Sequence, residues 1–347
     1  MSADLSVRVA GVRLKNPVIA GSGEATMELD GLRAALDAGA GAVVAKSTNE
    51  SSDAKRQLAD AEYVLLDEQW RPLPVDPART APRSASLLCR SGLVDTPFER
   101  WVETLVEADR YARSRDAFVV GSLVVADPSE AVRMAKEMEA AGLRWLEVNV
   151  GAPHASEAAP GAICAAGEAG GVRDLVAPIR EAVSVPVTVK LGAEGAPLEA
   201  AAGAFDAGAN AVCFAGRHLA FLPDVKTRRP VLGTYGAIGG AWALPLSLRW
   251  IAKARQRFGP GPTLLGTNGA RNGLDVARFL LAGASAVEMT TAVLTDGPRA
   301  LSKAIDELGA YLHDQKRTAT ALVGEAADQI KTYTQAGEGR RAAGGEG

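Results

Sequence analysis

Short apolar runs alternate with amphipathic stretches along almost the whole chain. The runs are continuously apolar, as in strands buried on both faces, whereas the stretches between them repeat apolar residues at helical spacing. This alternation predicts a parallel sheet covered on its outside by helices. The strands are predicted within 17–23, 37–47, 118–125, 140–150, 186–192, 206–216, 263–269 and 281–291, and helices over 98–113, 128–141, 171–183, 244–257 and 273–282.

A weak repeat accompanies four of these strands. The segments DAGAGAVVAKS (37–47), AAGLRWLEVNV (140–150), DAGANAVCFAG (206–216) and LAGASAVEMTT (281–291) each place Ala-Gly shortly before an apolar run. Glycine there would relieve a left-handed helix cap, so each segment is interpreted as a helix end followed by a strand. Eight strand–helix units predict an α/β fold, a closed (β/α)8 TIM barrel.

The barrel is expected to form one domain over residues 1–333, followed by a disordered tail over 334–347. Short strands are expected before it, with loop insertions after its strands 2, 4 and 6. An open doubly wound sheet is the alternative. Its dinucleotide fingerprint is absent, because GSGEAT (21–26) lacks the third glycine.

Composition and charge narrow the function. The apolar content of 47% can fill a large core, and the net charge of −3 gives no general attraction to nucleic acid. The chain has no apolar run long enough for a membrane span and no signal-peptide pattern, so a cytoplasmic location is expected. Cys89, Cys164 and Cys213 are widely spaced, which argues against a disulfide framework or a metal site.

Polar residues cluster where the predicted strands end, which is where barrels carry their active sites. Glycines and hydroxyls follow strands 7 and 8, at 266–269 and 290–292, and turns of this kind can hold a phosphate. Lys46 and Lys190 end strands 2 and 5. A lysine in a barrel opening needs an anion, a carbonyl or an electron-rich ring; pairing with a structural carboxylate is the alternative.

Seven segments in order resemble the dihydroorotate dehydrogenase family, which includes the related domain of dihydropyrimidine dehydrogenase. The resemblance covers about residues 5–315 and implies an FMN-containing (β/α)8 barrel. It is carried by KNPVIAGSG (15–23), GAVVAKSTNES (41–51), LEVNVGAPH (146–154), PVTVKL (186–191), GAIGGAWALP (236–245), LLGTNGARNG (264–273) and VEMTTAVL (287–294).

The resemblance also implies roles for individual residues. Lys190 would reach the N1/O2 edge of the flavin, Asn149 would hydrogen-bond the ring or the substrate, and Lys46 would face the substrate. Ala20, Gly21, Ser22 and Ser47 would lie along the ring. Gly239, Gly240, Gly269, Thr290 and Thr291 would line the phosphate.

The loop after strand 4 should supply the acid or base. In the dihydroorotate enzymes this residue directly precedes a proline, but that position here is Ala152, which cannot transfer a proton. In the dihydropyrimidine branch the active cysteine follows Pro-His by about a dozen residues, and Pro153-His154 is followed similarly by Cys164. We therefore hypothesise that Cys164 is the acid/base and His154 a substrate ligand. His154 is the next candidate for the acid/base role, and simple packing of Cys164 is the alternative.

The substrate-binding positions depart from the family. Asparagines bind the pyrimidine in the family, whereas this chain has Asp95 at one such place and Gly216-Arg217, followed by His218, at another. An Arg-His pair suits an anion, so Asp95, Arg217 and His218 are predicted to bind a changed substrate. A solvated start to the insertion is the alternative reading for Arg217 and His218.

Three functions follow from these observations. The first is an FMN-dependent oxidoreductase acting on a C–C bond next to a carbonyl in a small polar or anionic, cyclic or open-chain, substrate other than dihydroorotate. The second is a reductase like tRNA dihydrouridine synthase, which the slightly acidic charge and the lack of a basic C-terminal domain disfavour. The third is a catalytically silent FMN-binding subunit. A homodimer is expected, and a separate electron-transfer partner is compatible with each reading.

Overall fold

The apolar runs form a closed parallel barrel in the computed structural model, which describes residues 3–59, 61–74, 81–151, 163, 169–214 and 216–336. The strands are β1 (Val7–Val9), β2 (Val12–Leu14), β3 (Val18–Ala20), β4 (Ala42–Val44), β5 (Glu62–Leu66), β6 (Ser86–Arg90), β7 (Phe118–Val124), β8 (Leu146–Asn149), β9 (Val187–Lys190), β10 (Ala211–Phe214), β11 (His218–Ala220), β12 (Pro223–Asp224), β13 (Arg229–Pro230), β14 (Gly236–Gly240), β15 (Thr263–Thr267) and β16 (Ala286–Met289).

Eight of these strands form the barrel, in the order β3, β4, β7, β8, β9, β10, β15 and β16, and β16 pairs with β3 to close it. Apart from the closing pair, each barrel strand therefore lies beside the next barrel strand along the chain. Strands such as β3, β4, β10 and β16 are buried at every residue, as expected for a parallel sheet covered by helices. The predicted (β/α)8 barrel is confirmed.

The helices cover the outside of the barrel and agree with the predicted segments. The helices predicted over 98–113 and 273–282 have those bounds, and the other three differ by one or two residues. The helices are α1 (Leu29–Asp37), α2 (Ser52–Ala59), α3 (Phe98–Arg113), α4 (Pro128–Ala140), α5 (Ala169–Ala182), α6 (Pro197–Asp206), α7 (Leu244–Phe258), α8 (Gly273–Ala282), α9 (Thr291–Asp296), α10 (Arg299–Asp314) and α11 (Ala319–Leu322), with 3-10 turns at Glu24–Thr26, Ala241–Ala243 and Ala327–Gln329.

The repeated Ala-Gly segments end helices as predicted. Gly39, Gly142, Gly208 and Gly283 all have positive φ angles, between 84° and 115°. This left-handed conformation suits glycine, so the chain can leave the helix and enter the next strand within a few residues. These four short connections lead into β4, β8, β10 and β16, which run parallel in the barrel with their carboxyl ends on the same side.

Two insertions combine into a second sheet beside the barrel. One follows β4 and contains α2, β5 and β6; the other follows β10 and contains β11 to β14. Strands β11, β14, β6 and β5 pair in that order, and Leu88 of β6 lies opposite Ile238 of β14. This antiparallel sheet therefore fixes the two insertions to each other over the barrel strands that they follow.

The remaining predictions about the chain's organisation concern its ends and one loop. The expected short N-terminal strands are β1 and β2, which pair as an antiparallel hairpin. Residues 152–162 and 164–168, in the insertion after β8, and residues 337–347 of the predicted tail lie outside the described residues. Among the described helices, none has the length and apolar character needed to cross a membrane.

Candidate active site

A cavity of about 1170 Å³, part of it open to solvent, lies at the carboxyl ends of the barrel strands. The carboxyl ends of the strands are where (β/α)8 barrels bind small molecules and cofactors. Each contributing strand ends with a short polar or glycine-rich segment, and the barrel topology brings these segments together. The predicted site residues that line the cavity are Ser22, Lys46, Ser47, Asn149, Lys190, Arg217, Gly269, Thr290 and Thr291.

Other predicted site residues lie elsewhere. Ala20 and Gly21 are buried in the barrel next to the lining residues, whereas Asp95 is exposed to solvent. Gly239 and Gly240 belong to β14 and do not line the cavity. The predicted loop residues Ala152, His154 and Cys164 lie outside the described residues.

Lys46 is buried and forms an ion pair with Glu24, which is on the 3-10 turn after β3. Both side chains line the cavity. Burial lowers the pKa of Lys46 despite its partner. Although burial opposes the charge of Glu24, Lys46 holds its pKa below the ordinary value. The structural carboxylate considered as an alternative from sequence therefore exists, and it offsets the charge of Lys46 inside the cavity.

Lys190 is held by two glutamates inside the barrel. Its Nζ pairs with Glu288 and lies 3.9 Å from Oε2 of Glu147. Both carboxylates are 1% exposed. Although burial opposes the charge of Lys190, the two glutamates raise its pKa above the ordinary value. Lys190 and Glu288 line the cavity, so this charge cluster forms part of its wall.

Arg217 brings a further cation into the cavity. One of its Nη atoms donates to Sγ of Cys89 and the other to Oγ of Ser91, at 3.1 Å. Burial raises the pKa of the Cys89 thiol, although Arg217 opposes this shift. Its hydrogen-bond partners are thus a neutral thiol and a hydroxyl, and Glu24 is a carboxylate that acts on the guanidinium without such a bond. Arg217 is therefore a half-buried part of the cavity wall.

His218 follows Arg217 but does not line the cavity. Its Nδ1 lies 3.3 Å from Oε1 of Glu194, and its ring centroid is 5.7 Å from that of Trp242. His218 therefore has protein partners at the edge of the insertion sheet, and the structure does not bring it together with the other predicted ligands.

The turns after β15 and β16 pack closely against neighbouring segments. Gly269 has φ of +106°, and a side chain there would lie 2.5 Å from backbone atoms of Leu244. A side chain at Gly21 would lie 2.2 Å from Oγ1 of Thr290. Glycine therefore lets residue 269 approach Leu244 and residue 21 approach Thr290. Thr290 and Thr291 lie at the cavity surface.

Several charged or polar residues of the site were not predicted from the sequence. Glu147 and Glu288 occur in otherwise apolar strand segments, LEVN and AVEM. A glutamate inside a buried barrel strand must have a partner, and this pattern could have identified both residues. Asn268 and Ser91 also line the cavity, and Asn268 donates to the carbonyl of Gly216 at 3.1 Å.

The fold and site are those of a (β/α)8-barrel protein with a charged small-molecule cavity at the strand ends. The model of the family described as dihydroorotate dehydrogenase matches residues 76–312. A Methanopyrus kandleri protein named dihydroorotate dehydrogenase B (NAD(+)), catalytic subunit, is 31% identical over 299 residues, which are 82% of this chain and 84% of the relative. A Thermoplasma acidophilum protein of the same name is 26% identical over 316 residues, 90% and 95% of the two chains.

The chain therefore belongs to the dihydroorotate dehydrogenase family, a family of oxidoreductases acting on CH–CH groups. This confirms the resemblance inferred from its motifs.

Proposed function

We propose that the protein is an FMN-dependent oxidoreductase that acts on a C–C bond next to a carbonyl in a small anionic substrate other than dihydroorotate. The observation that carries this proposal is the convergence of Lys46, Lys190 and Arg217 on one cavity at the strand ends. Lys46 and Lys190 already have carboxylate partners, whereas Arg217 contacts a thiol and a hydroxyl. Arg217 is therefore the cation best suited to receive an anionic group of the substrate.

The donors around the cavity fit FMN. The ammonium group of Lys190, the amide of Asn149 and the hydroxyls of Ser22 and Ser47 suit a ring with carbonyl groups and nitrogens. The turns around Gly269 and Thr290 follow the last two barrel strands, where many barrels bind phosphate. FMN, when bound, would supply hydride transfer to or from a substrate carbon.

The protein's own residues would position the substrate and exchange its proton. Arg217 and Ser91 would hold the anionic group, and the ion pair of Lys46 and Glu24 would contact the carbonyl side of the substrate. Cys164, or else His154, would exchange a proton with the carbon adjacent to the one that exchanges hydride. The names of the relatives describe catalytic subunits, so we infer a separate electron-transfer partner in addition to a homodimer.

The purified protein is expected to be yellow and to hold FMN non-covalently, with one FMN per chain. The reason is the combination of Lys190, Asn149 and the turns around Gly269 and Thr290 in one cavity. Flavin absorbance, release of FMN on denaturation and its ratio to protein would measure this. A colourless protein that does not take up added FMN under native conditions would contradict the proposal.

Dihydroorotate is expected to be a poor substrate or none. Asn149 and Asn268 are the side-chain amides among the described residues that line the cavity, and Gly216 and Arg217 stand where the family has amide donors. A pyrimidine ring would leave polar groups unpaired, which strongly reduces binding. The test is flavin bleaching under anaerobic conditions with dihydroorotate, cyclic imides, dihydropyrimidines and small acids. Efficient conversion of dihydroorotate to orotate would show that this specificity argument is wrong.

A further inference from the structure

Three charged side chains from three barrel strands form a buried cluster, here called the Lys190 triad: Lys190 of β9, Glu147 of β8 and Glu288 of β16. Two carboxylates share one ammonium group, since Lys190 pairs with Glu288 and lies 3.9 Å from Glu147. Oε2 of Glu147 is buried and accepts no hydrogen bond from the residues that the structure describes. Glu147 is therefore the member of the triad whose charge is least compensated.

A line of hydroxyl groups connects Glu147 to the cavity. Oε1 of Glu147 accepts a hydrogen bond from Oγ of Ser122 at 2.9 Å, and Ser122 Oγ lies 2.8 Å from Oγ of Ser47. Ser47 Oγ lies 3.3 Å from Oγ of Ser22, and Ser22 and Ser47 both line the cavity. In both serine pairs either hydroxyl can be the donor, because the proton of a hydroxyl rotates to suit its partner. This serine chain can therefore carry a proton in either direction.

Glu147 can change its charge near neutral pH. Burial, together with the negative charge of Glu288, raises its pKa to about 8, while Lys190 opposes the shift. Below this pH the side chain is neutral, and above it the side chain is an anion. The groups facing it are Lys190 and Glu288, Ser122 of β7, and Cys213 of β10. Burial raises the pKa of the Cys213 thiol well above the ordinary value, so this thiol is neutral.

We propose that the Lys190 triad and the serine chain form a proton store coupled to the redox state of the bound flavin. This inference rests on the proposed function. Reduction of bound FMN would add negative charge at the ring edge that the resemblance assigns to Lys190. Above about pH 8, where Glu147 is an anion in the oxidised protein, it would take a separate proton from cavity water through the serine chain and would return that proton when the flavin gives up its electrons. The substrate's own proton leaves through the loop residue, so the two protons are counted separately.

The wild-type protein tests the proposal through the midpoint potential of its bound flavin as a function of pH. Below pH about 8, Glu147 is protonated in both redox states and adds nothing to the slope. Above this pH, reduction takes up one additional proton. The equilibrium constant for reduction should then fall by one extra factor of ten per pH unit, or about 30 mV for a two-electron couple. We call this change of slope near pH 8 the break. A wild-type plot of midpoint potential against pH without the break would overturn the proposal.

Two variants separate the roles of the glutamates. Glu147→Gln should match the wild type near pH 7 and lose the break, so that its potential lies above the wild-type value at higher pH. Glu288→Gln should move the break to lower pH, because it removes the anion that helps to raise the pKa of Glu147. Glu199→Gln, an exposed position on α6, is the matched control and should change neither.

The outcomes distinguish this inference from the proposed function. A protein that binds no FMN overturns both. A protein that binds FMN with a break that persists in Glu147→Gln overturns the proton store and leaves the flavoenzyme proposal intact. The readout is a potential, so it does not depend on knowing the substrate.

Discussion

Replacing Cys164 with alanine is expected to slow substrate-linked reduction of the flavin by about 10²–10⁴-fold, or roughly 3–5 kcal/mol of activation free energy. A thiol can exchange a proton near neutral pH when suitably placed, and Ala152 cannot serve at the family's usual position. FMN binding should be unchanged, because the proposed cofactor contacts come from the barrel strands rather than from this loop. Rapid-reaction absorbance measurements on the FMN-loaded protein, with a substrate found by screening, would give the rate.

The same experiment on His154 separates the two candidate acids. His154→Ala should weaken substrate binding more than it slows the chemical step if His154 is a ligand, and His313→Ala, on an exposed face of α10, is its matched control. If His154→Ala instead abolishes the chemical step while Cys164→Ala behaves as the wild type, the acid/base role belongs to His154. Unchanged rates in both variants would mean that the proton comes from another group or from water.

The barrel could be predicted from the sequence because its determinants are local. An apolar run, an Ala-Gly helix end and an amphipathic segment each act within a few residues, and repetition of this unit leaves few alternative topologies. The strand-end side chains could be predicted for the same reason. Once Lys46, Asn149 and Lys190 are assigned to the ends of parallel strands, the fold brings them to one side of the barrel.

The partners of these side chains could not be predicted because they depend on distant parts of the chain. Lys190 and Glu288 are 98 residues apart, and Arg217 and Cys89 are 128 apart. The second contact exists because strands of two insertions pair with each other, and no local pattern indicates that pairing. Asp95 illustrates the limit: its position relative to a family motif suggested a ligand, but the chain places it at the surface.

These contacts change how the cations of the site should be interpreted. From sequence, the two lysines and the Arg217–His218 pair were all candidates for meeting an anion. Because Lys46 is paired with the half-buried Glu24 and Lys190 with the buried Glu288, their charge is largely offset before any ligand binds. Arg217 has a neutral hydroxyl and a thiol as its hydrogen-bond partners, and Glu24 acts on it electrostatically without a hydrogen bond, so among these three cations of the described residues its charge is the least offset. The specificity of the cavity should therefore depend on Arg217.

Replacing Arg217 with alanine is expected to reduce kcat/KM for an acidic substrate by about 10- to 100-fold, mainly through KM. The reason is the loss of hydrogen bonds to a charged group, each worth about 1.5–3 kcal/mol. The loss should be much smaller for the neutral amide of the same compound. Binding of a small dicarboxylate to the oxidised, FMN-loaded protein, monitored through the flavin absorbance spectrum, measures the loss of anion binding without turnover.

Two control variants test separately the charge at position 217 and the location of the arginine. Arg217→Lys should retain part of the anion binding, because lysine keeps the charge but loses the paired donors of the guanidinium. Arg229→Ala, an exposed position in the same insertion, should bind the dicarboxylate as the wild type does. FMN content and the melting temperature would show whether the Arg217 variants remain folded. Equal losses for the acid and its amide would mean that Arg217 supports the cavity wall through Cys89 and Ser91 and does not select the substrate.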